Sequence, residues 1–432
     1  MQNANDIKFM CRAIELAELG RGFTNPNPLV GAVIVYNNEI VASGYHAQYG
    51  APHAERDAIQ NYINSGRDTS LLSKSTMYVT LEPCNHYGVT PPCTEIIIQY
   101  NFKRVVVGLK DPNPKMAGKS LSLLRSKGIE VDLIDNEEIL SLLKNQNKIF
   151  LKYITTKKPY MLMKVATTLD GKIATHSKTS EAISNELSHT FVHFARHNYA
   201  GIMVGKNTVL SDNPSLNCRL NLKNENYDKL IDIYTKYLIV NLSNHYEDNT
   251  NKNINININY TDIAKNFLKK LSVEGVKNPV RVIVSSKADL DINFNVFQNL
   301  DKCRTLITYL NSESLKTIQT LNEKGVETLL VEGLDNKNVI NLESLLVELG
   351  KLKIDSILLE GGGNLNFSFL ENNLIDEVLY FISPKLVGGK DAISSVEGKG
   401  FDSIKDAVLL DKSSIITQYI DGDILISGKI LK

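Results

Sequence analysis

The chain has 432 residues, enough for two or three domains with separate cores. Lysine plus arginine and aspartate plus glutamate both number 48, and the resulting zero formal charge argues against general binding of nucleic acid or other polyanions. Cys11, Cys84, Cys93, Cys218 and Cys303 are too few for a disulfide framework, MQNANDIKFM has no apolar leader, and no run reaches membrane-spanning length, so a cytoplasmic protein is expected.

Residues 5–19 place Ile7, Met10, Cys11, Ile14, Leu16 and Ala17 at helical spacing, which makes Cys11 a core residue. Prolines exclude Thr24-Asn25-Pro26-Asn27-Pro28 from helix, leaving either a rigid loop that presents Asn27 to a pocket or an ordinary Asn-Pro turn. Leu29–Val35 reads as a strand, Asn37-Asn38 as a turn and Ile40–Ser43 as the hairpin partner. Helix Ala54–Ile63, strand Met77–Thr80, helix Thr94–Tyr100, strand Lys103–Leu109, helix Leu121–Ser126, strand Ile129–Leu133 and helix Glu137–Phe150 follow. This alternation argues an α/β sheet with helices on both faces.

His53, Cys84 and Cys93 are three ligands that zinc accepts, each placed at a helix start or a strand exit. A catalytic zinc keeps three protein ligands and leaves the fourth position to water, whereas a structural site takes a fourth protein ligand. His86 is the only nearby candidate for that fourth place. Glu55 lies two residues beyond His53, suited to carry protons. H-x-E followed by P-C and a further Cys is the general signature of zinc nucleobase deaminases, in which a metal-bound hydroxide attacks an amino-bearing ring carbon. Here eight residues (85–92) separate the cysteines, where that signature has two.

Asn25-Pro26-Asn27-Pro28-Leu29-Val30-Gly31, His53-Ala54-Glu55, Glu82-Pro83-Cys84, Gly88-Val89-Thr90-Pro91-Pro92-Cys93 and Asp111-Pro112-Asn113-Pro114 together resemble the bifunctional deaminase/reductase family of riboflavin biosynthesis. That family has the long loop between the cysteines, and usually Arg where Val89 stands. The resemblance implies a cytidine-deaminase-like three-layer domain over 1–150, with one zinc ion per chain, Glu55 catalytic and Asn27 touching substrate. The implied substrate is 2,5-diamino-6-hydroxy-4-(5-phosphoribosylamino)pyrimidine.

After the polar link Ile154–Pro159 the pattern restarts with strand Tyr160–Ala166 and the turn at Asp170-Gly171. Asn185–Tyr199 reads as a helix with Ser184 as N-cap, carrying His189, His193 and His197 on one face. Three ligands from one straight helix rarely close on an ion, so this is read as a solvated or phosphate-facing stripe, and Arg196 beside it as the better anion binder. Ala200–Val204 is the next strand, and Arg219 is suited to pair with a phosphate. Residues 222–277 lose this character. Tyr237–Val240 reads as a short strand and Asp248–Asn259 as an exposed strand or disorder, the whole as an insertion without chemistry. Strands Pro279–Ser285, Thr305–Tyr309, Glu327–Val331 and Ser356–Leu359, with helix Ile340–Leu349, lead to Glu360-Gly361-Gly362-Gly363 opening a helix. Glycines there let backbone N–H groups approach phosphates.

Lys164, Leu169-Asp170-Gly171, Arg196, Asp212-Asn213-Pro214-Ser215-Leu216, Arg219 and Glu360-Gly361-Gly362 resemble the reductase half of the same family. The resemblance implies a dihydrofolate-reductase-like α/β domain over 151–432, interrupted by the insertion at about 222–277. It implies NADPH contacts from Ala166, Ala182, Thr208, Asp212, Ser286 and the run Gly362, Gly363, Asn364, Leu365, Asn366, Phe367 and Ser368. Some relatives carry Trp where Ala182 stands. Ser180, Arg196, Leu216, Arg219 and Glu360 would contact the phosphoribosyl substrate, whose ribose is reduced to ribityl to give 5-amino-6-(5-phosphoribitylamino)uracil. Lys164 is the candidate polar group beside the reacting carbon, the plainer reading being a phosphate-binding lysine. The expected partner is this small molecule, with neither nucleic acid nor membrane, and relatives suggest a homo-oligomer. The alternatives are a zinc deaminase of an RNA base, a deaminase whose reductase half is inactive, and a zinc-stabilised binding scaffold.

Overall fold

The computed structural model describes residues 4–88, 90–113, 118–177, 181–222, 227–243, 256–310, 315–334 and 338–432. They form two compact units, Met1–Thr155 with Leu222–Gly275, and Thr156–Asn221 with Val276–Lys432.

In the first unit, apolar residues at helical spacing bury one side of α1 (Ala4–Glu18). β1 (Gly31–Tyr36) and β2 (Glu39–Tyr45) join through Asn37 and Asn38, whose φ values of 48° and 66° suit a two-residue hairpin loop. Then come α2 (Ala54–Asn64), β3 (Thr76–Leu81), α3 (Cys93–Gln99), β4 (Arg104–Leu109), α4 (Lys119–Ser126), β5 (Glu130–Leu133), α5 (Glu137–Gln146) and α6 (Lys148–Thr156). The single helix expected over Glu137–Phe150 is thus two, divided at Asn147, whose side-chain amide is turned inward to bond both the N–H and the carbonyl of Leu29.

Among the described residues these strands form one sheet, β2-β1-β3-β4-β5, with β1 antiparallel to its neighbours and the remaining pairs parallel. Alternation along β3 sends Met77 and Val79 to the face covered by α2, α3 and α4, and Tyr78 to the face covered by α1 and α5. The result is the three-layer arrangement expected. The closeness of α1 to the sheet depends on Gly31, where a Cβ would fall 2.0 Å from the Ala13 carbonyl oxygen. Gly31→Ala is expected to destabilise the unit by about 1–3 kcal/mol through overpacking. A denaturant midpoint equal to that of the parent would show that α1 can move aside.

The second unit opens with β6 (Tyr160–Thr168), α7 (Glu186–Asn198), β7 (Gly201–Gly205) and α8 (Lys206–Asp212). The cap of α7 is Asn185, not Ser184: its side-chain oxygen accepts the Ser188 N–H at 2.8 Å. The chain then contributes α9 (Tyr227–Leu242) and α10 (Tyr260–Glu274) to the first unit. Here the sequence reading needs correction twice. Tyr237–Val240 is helical, because Leu230, Ile233, Tyr234, Tyr237 and Leu238 bury a stripe of helical period. The insertion also belongs with the first unit rather than the second: Asn145 donates to the Leu242 carbonyl at 3.0 Å, and Ile256 and Ile258 pack on the α1–α5 core. Residues 248–255 of the Asn-rich run lie outside the described residues.

β8 (Val280–Val284), β9 (Thr305–Tyr309), α11 (Leu315–Glu323), β10 (Glu327–Leu330), α12 (Leu342–Lys351), β11 (Ser356–Leu359), α13 (Gly363–Glu371), β12 (Glu377–Ser383), β13 (Ile416–Ile420) and β14 (Asp423–Lys429) complete the second unit. Among the described residues its sheet runs β10-β9-β8-β7-β11-β6-β12-β14-β13, parallel as far as β12 and antiparallel beyond. No helix of the described residues is long and apolar enough to cross a membrane.

Candidate active sites

In the first unit, His53 precedes α2 as its N-cap, Cys84 leaves β3 and Cys93 opens α3. The His53 Nδ1 lies 3.4 Å from Cys84 Sγ and 3.5 Å from Cys93 Sγ. Tetrahedral zinc, with bonds of about 2.0–2.3 Å, needs donors roughly 3.5–3.8 Å apart, so the three fit one ion. They are the only such donor group among the described residues. Shared protons give the cysteines opposite tendencies. The Cys93 thiol hydrogen bond and nearby His53 hold Cys84 down to about 4, while Cys93, bonded to Cys84 and buried, is pushed up.

Glu55, in the first turn of α2, is 3% exposed. Burial raises its pKa, and the neighbouring Cys84 charge adds to that. A carboxylate with enhanced proton affinity beside a metal-donor set is equipped to accept a proton and return it. Asn27 is brought to the same place through a residue the sequence reading missed, His46. Asn27 Nδ2 lies 3.2 Å from His46 Nε2, His46 Nδ1 lies 3.1 Å from the Pro52 carbonyl, and the His46 ring meets that of His53 edge-on at 5.3 Å. The only sequence sign was a histidine at a strand exit. Two further missed residues brace the ligand loops. Glu82 accepts backbone N–H groups from Asp111, Gly118 and Ser120, and Arg56 donates to the Pro91 and Pro92 carbonyls just before Cys93. Val89 lies outside the described residues.

In the second unit a cavity of about 1100 Å³ opens at the carboxyl ends of β7, β8 and β11 and along β6, where open α/β sheets bind ligands. Lys164, Ala166, Thr208, Asp212, Ser286 and Glu360 line it. Gly362, Gly363, Asn364, Leu365, Asn366 and Ser368 line it too, placing the N-terminus of α13 at its wall. Phe367 does not: it is buried, with its ring 5.4 Å from that of Phe401. Leu216 is buried in the core beneath β7, β8 and β9. Ala182 offers its carbonyl to Lys385 at 3.2 Å and does not itself line the cavity, although its neighbour Glu181 does. Ser180 lies outside the described residues.

Arg196 is already engaged. Its guanidinium grips Glu360 through two bonds of 2.8 and 2.9 Å, and Lys164 Nζ stands 3.8 Å from the same carboxylate. Burial alone would raise Glu360, but Arg196 and Lys164 hold it down to about 2. Lys164 is lowered by burial, with Glu360 opposing the shift. Arg219, whose guanidinium bonds Asn217, is lowered by burial and by the like charge of Arg196. Two members of the histidine stripe hold backbone: His193 Nδ1 accepts the Arg219 N–H at 3.2 Å, and His197 Nδ1 accepts the Lys277 N–H at 2.9 Å, with His197 buried instead of solvated.

Comparison with known proteins matches residues 3–109 to the cytidine and deoxycytidylate deaminase zinc-binding region and residues 159–420 to the RibD C-terminal domain. Riboflavin biosynthesis protein RibD of Actinobacillus pleuropneumoniae is 39% identical over 98% of this chain and 94% of its own. The RibD of Aquifex aeolicus is 33% identical over 95% of each chain. Among solved structures, a diaminohydroxyphosphoribosylaminopyrimidine deaminase/5-amino-6-(5-phosphoribosylamino)uracil reductase of Thermotoga maritima aligns with a TM-score of 0.74 at 32% identity, covering 99% of both chains. Acinetobacter baumannii RibD aligns with a TM-score of 0.77 at 29% identity, again over 99% of both.

Proposed function

We propose that this chain, which belongs to the RibD family of riboflavin biosynthesis proteins, is a two-site enzyme of that pathway. Its first unit deaminates the diaminohydroxy-pyrimidine bearing a phosphoribosylamino group, and its second reduces the ribosyl side chain to ribityl with NADPH. The observation that carries the reading is the convergence of His53, Cys84 and Cys93 at zinc-ligand spacing beside buried Glu55.

His53, Cys84 and Cys93 would hold one zinc ion, which would lower the pKa of bound water to about 7. Glu55, kept from solvent and near the Cys84 charge, takes up a proton there and passes it toward the ring nitrogen and the departing ammonia. Asn27, braced by His46, faces the pyrimidine.

In the second unit the cavity volume suits a dinucleotide, and the N–H groups opening α13 suit its phosphates. Lys164, Arg196 and Glu360 form a fixed charged floor beside it, against which the ribose would be oriented. Gly362 and Thr208 belong on the cofactor side, and Arg219 on the substrate phosphate side. The expected assembly is a homo-oligomer acting on a small molecule without nucleic acid.

The test is a sequential assay on zinc-loaded and chelator-stripped full-length protein. Zinc-loaded protein should release ammonia first and then consume NADPH when it is added, and stripped protein should reduce the deaminated intermediate without releasing ammonia. Absence of ammonia from zinc-loaded protein would overturn the substrate assignment and reopen the reading of a zinc deaminase acting on an RNA base. Ammonia without NADPH consumption would overturn the reductase assignment.

A further inference from the structure

α10 of the insertion carries Lys270, a lysine only 8% exposed at its side chain. Burying an ammonium is costly unless its protons are taken up. Lys270 Nζ donates to the Leu19 carbonyl at 2.9 Å and to the Ala47 carbonyl at 2.8 Å. It also stands 4.4 Å from the Phe23 ring centroid and 5.0 Å from that of Tyr45, within cation–π range, with Glu274 at 3.8 Å. All of these contacts lie within the first unit.

The two acceptors start two different loops. Leu19 follows α1 and begins the loop that carries Asn27, while Ala47 is the neighbour of His46. Those loops are knitted together on their inner side. Tyr49 N–H donates to the Phe23 carbonyl at 3.0 Å, His46 N–H to the Val30 carbonyl at 2.9 Å, and Asn27 meets His46 as described above. At Gly20 a Cβ would fall 2.4 Å from the His46 carbonyl oxygen, so the loops are already in close contact. Lys270 clamps both from outside, and the next link inward is the edge of the His53 ring.

We propose that Lys270 is a positioning residue for the deaminase site, through which the insertion fixes the Asn27 and His46 loops against His53. The assignment rests on the deaminase reading of the first unit. It gives the insertion a part in that site's chemistry, although Lys270 itself touches no reacting atom.

The experiment uses full-length protein with the diaminohydroxy-pyrimidine substrate, comparing the parent, Lys270→Met, Lys270→Arg, Asn27→Ala and the Lys270→Met/Asn27→Ala double variant. Zinc content and NADPH-dependent reduction of supplied intermediate are measured alongside. Lys270→Met should raise the KM for deamination about 10-fold, within the range that misplacing a substrate-positioning loop costs, with zinc content and reductase rate unchanged. Lys270→Arg should recover most of that loss, and in the Asn27→Ala background Lys270→Met should add little. Three results overturn the proposal: unchanged deamination in Lys270→Met, a loss that tracks loss of zinc or of folded protein, or a full additive loss in the double variant. If the parent itself releases no ammonia, the deaminase reading falls and this assignment with it.

Discussion

Glu55→Gln should cut ammonia release about 10²–10⁴-fold, the usual contribution of a positioned acid–base group, while zinc stays bound and NADPH-dependent reduction of supplied intermediate continues. The amide keeps the shape of Glu55 but cannot carry a proton. The three donor atoms are untouched, because the ligand set is His53, Cys84 and Cys93. Steady-state ammonia release combined with metal analysis of the same sample decides the matter. Retained activity would remove Glu55 from the chemistry, and loss of zinc would make it a structural support of the donor set.

Arg196→Met should be the most damaging single change in the second unit. It deletes both bonds to Glu360 and leaves a carboxylate that is 11% exposed with Lys164 at 3.8 Å as its remaining ion-pair partner among the described residues. Removing one member of a buried ion pair costs about 3–5 kcal/mol. Reductase activity should disappear while ammonia release persists, with an earlier denaturant transition in the protein as a whole. The pH dependence has a defined sign. Glu360 is held below its ordinary value of 4.5, at about 2. The stabilisation from the pair is therefore complete above about pH 4.5 and is lost as pH falls from there toward 2, with unfolded-state protonation taking over. A variant with undiminished reductase activity and an acid-stability profile like the parent's would show that Lys164 alone satisfies Glu360.

Where chemistry constrains residue type, the sequence was readable. Zinc tolerates few ligand kinds, so His53, Cys84 and Cys93 stood out with no structure at all. Elements along the first 150 residues were legible because most helices there bury one side, while the central strands, covered on both faces, read as short apolar runs. The roles of His46, Glu82 and Arg56 were invisible for a different reason. Glu82 and Arg56 act by bonding backbone groups distant in sequence and His46 by meeting Asn27, 19 residues away, and no local pattern encodes such partners. α9 was misread because Tyr237-Leu238-Ile239-Val240, taken in isolation, is a β-favouring run. Its partners, α5 about 90 residues earlier and α10 beyond the Asn-rich run, make the helical stripe worth burying. Phe367 was carried into the cofactor run by its neighbours, although the helical turn of α13 directs it into the core.

The polypeptide passes from one unit to the other three times, after Thr155, after Asn221 and after Gly275. This connectivity sets a timetable during synthesis. The amino-terminal half is not a finished domain when residue 155 emerges from the ribosome, because α9 and α10 are complete only 120 residues later, at residue 275. At ~5–20 residues per second that delay is about 6–24 s. During it the apolar flank of α1 and α5 that Ile256 and Ile258 later cover remains open to water. The opening strands and helices of the other half are already made by then, so the first unit receives its last helices only after the second has begun.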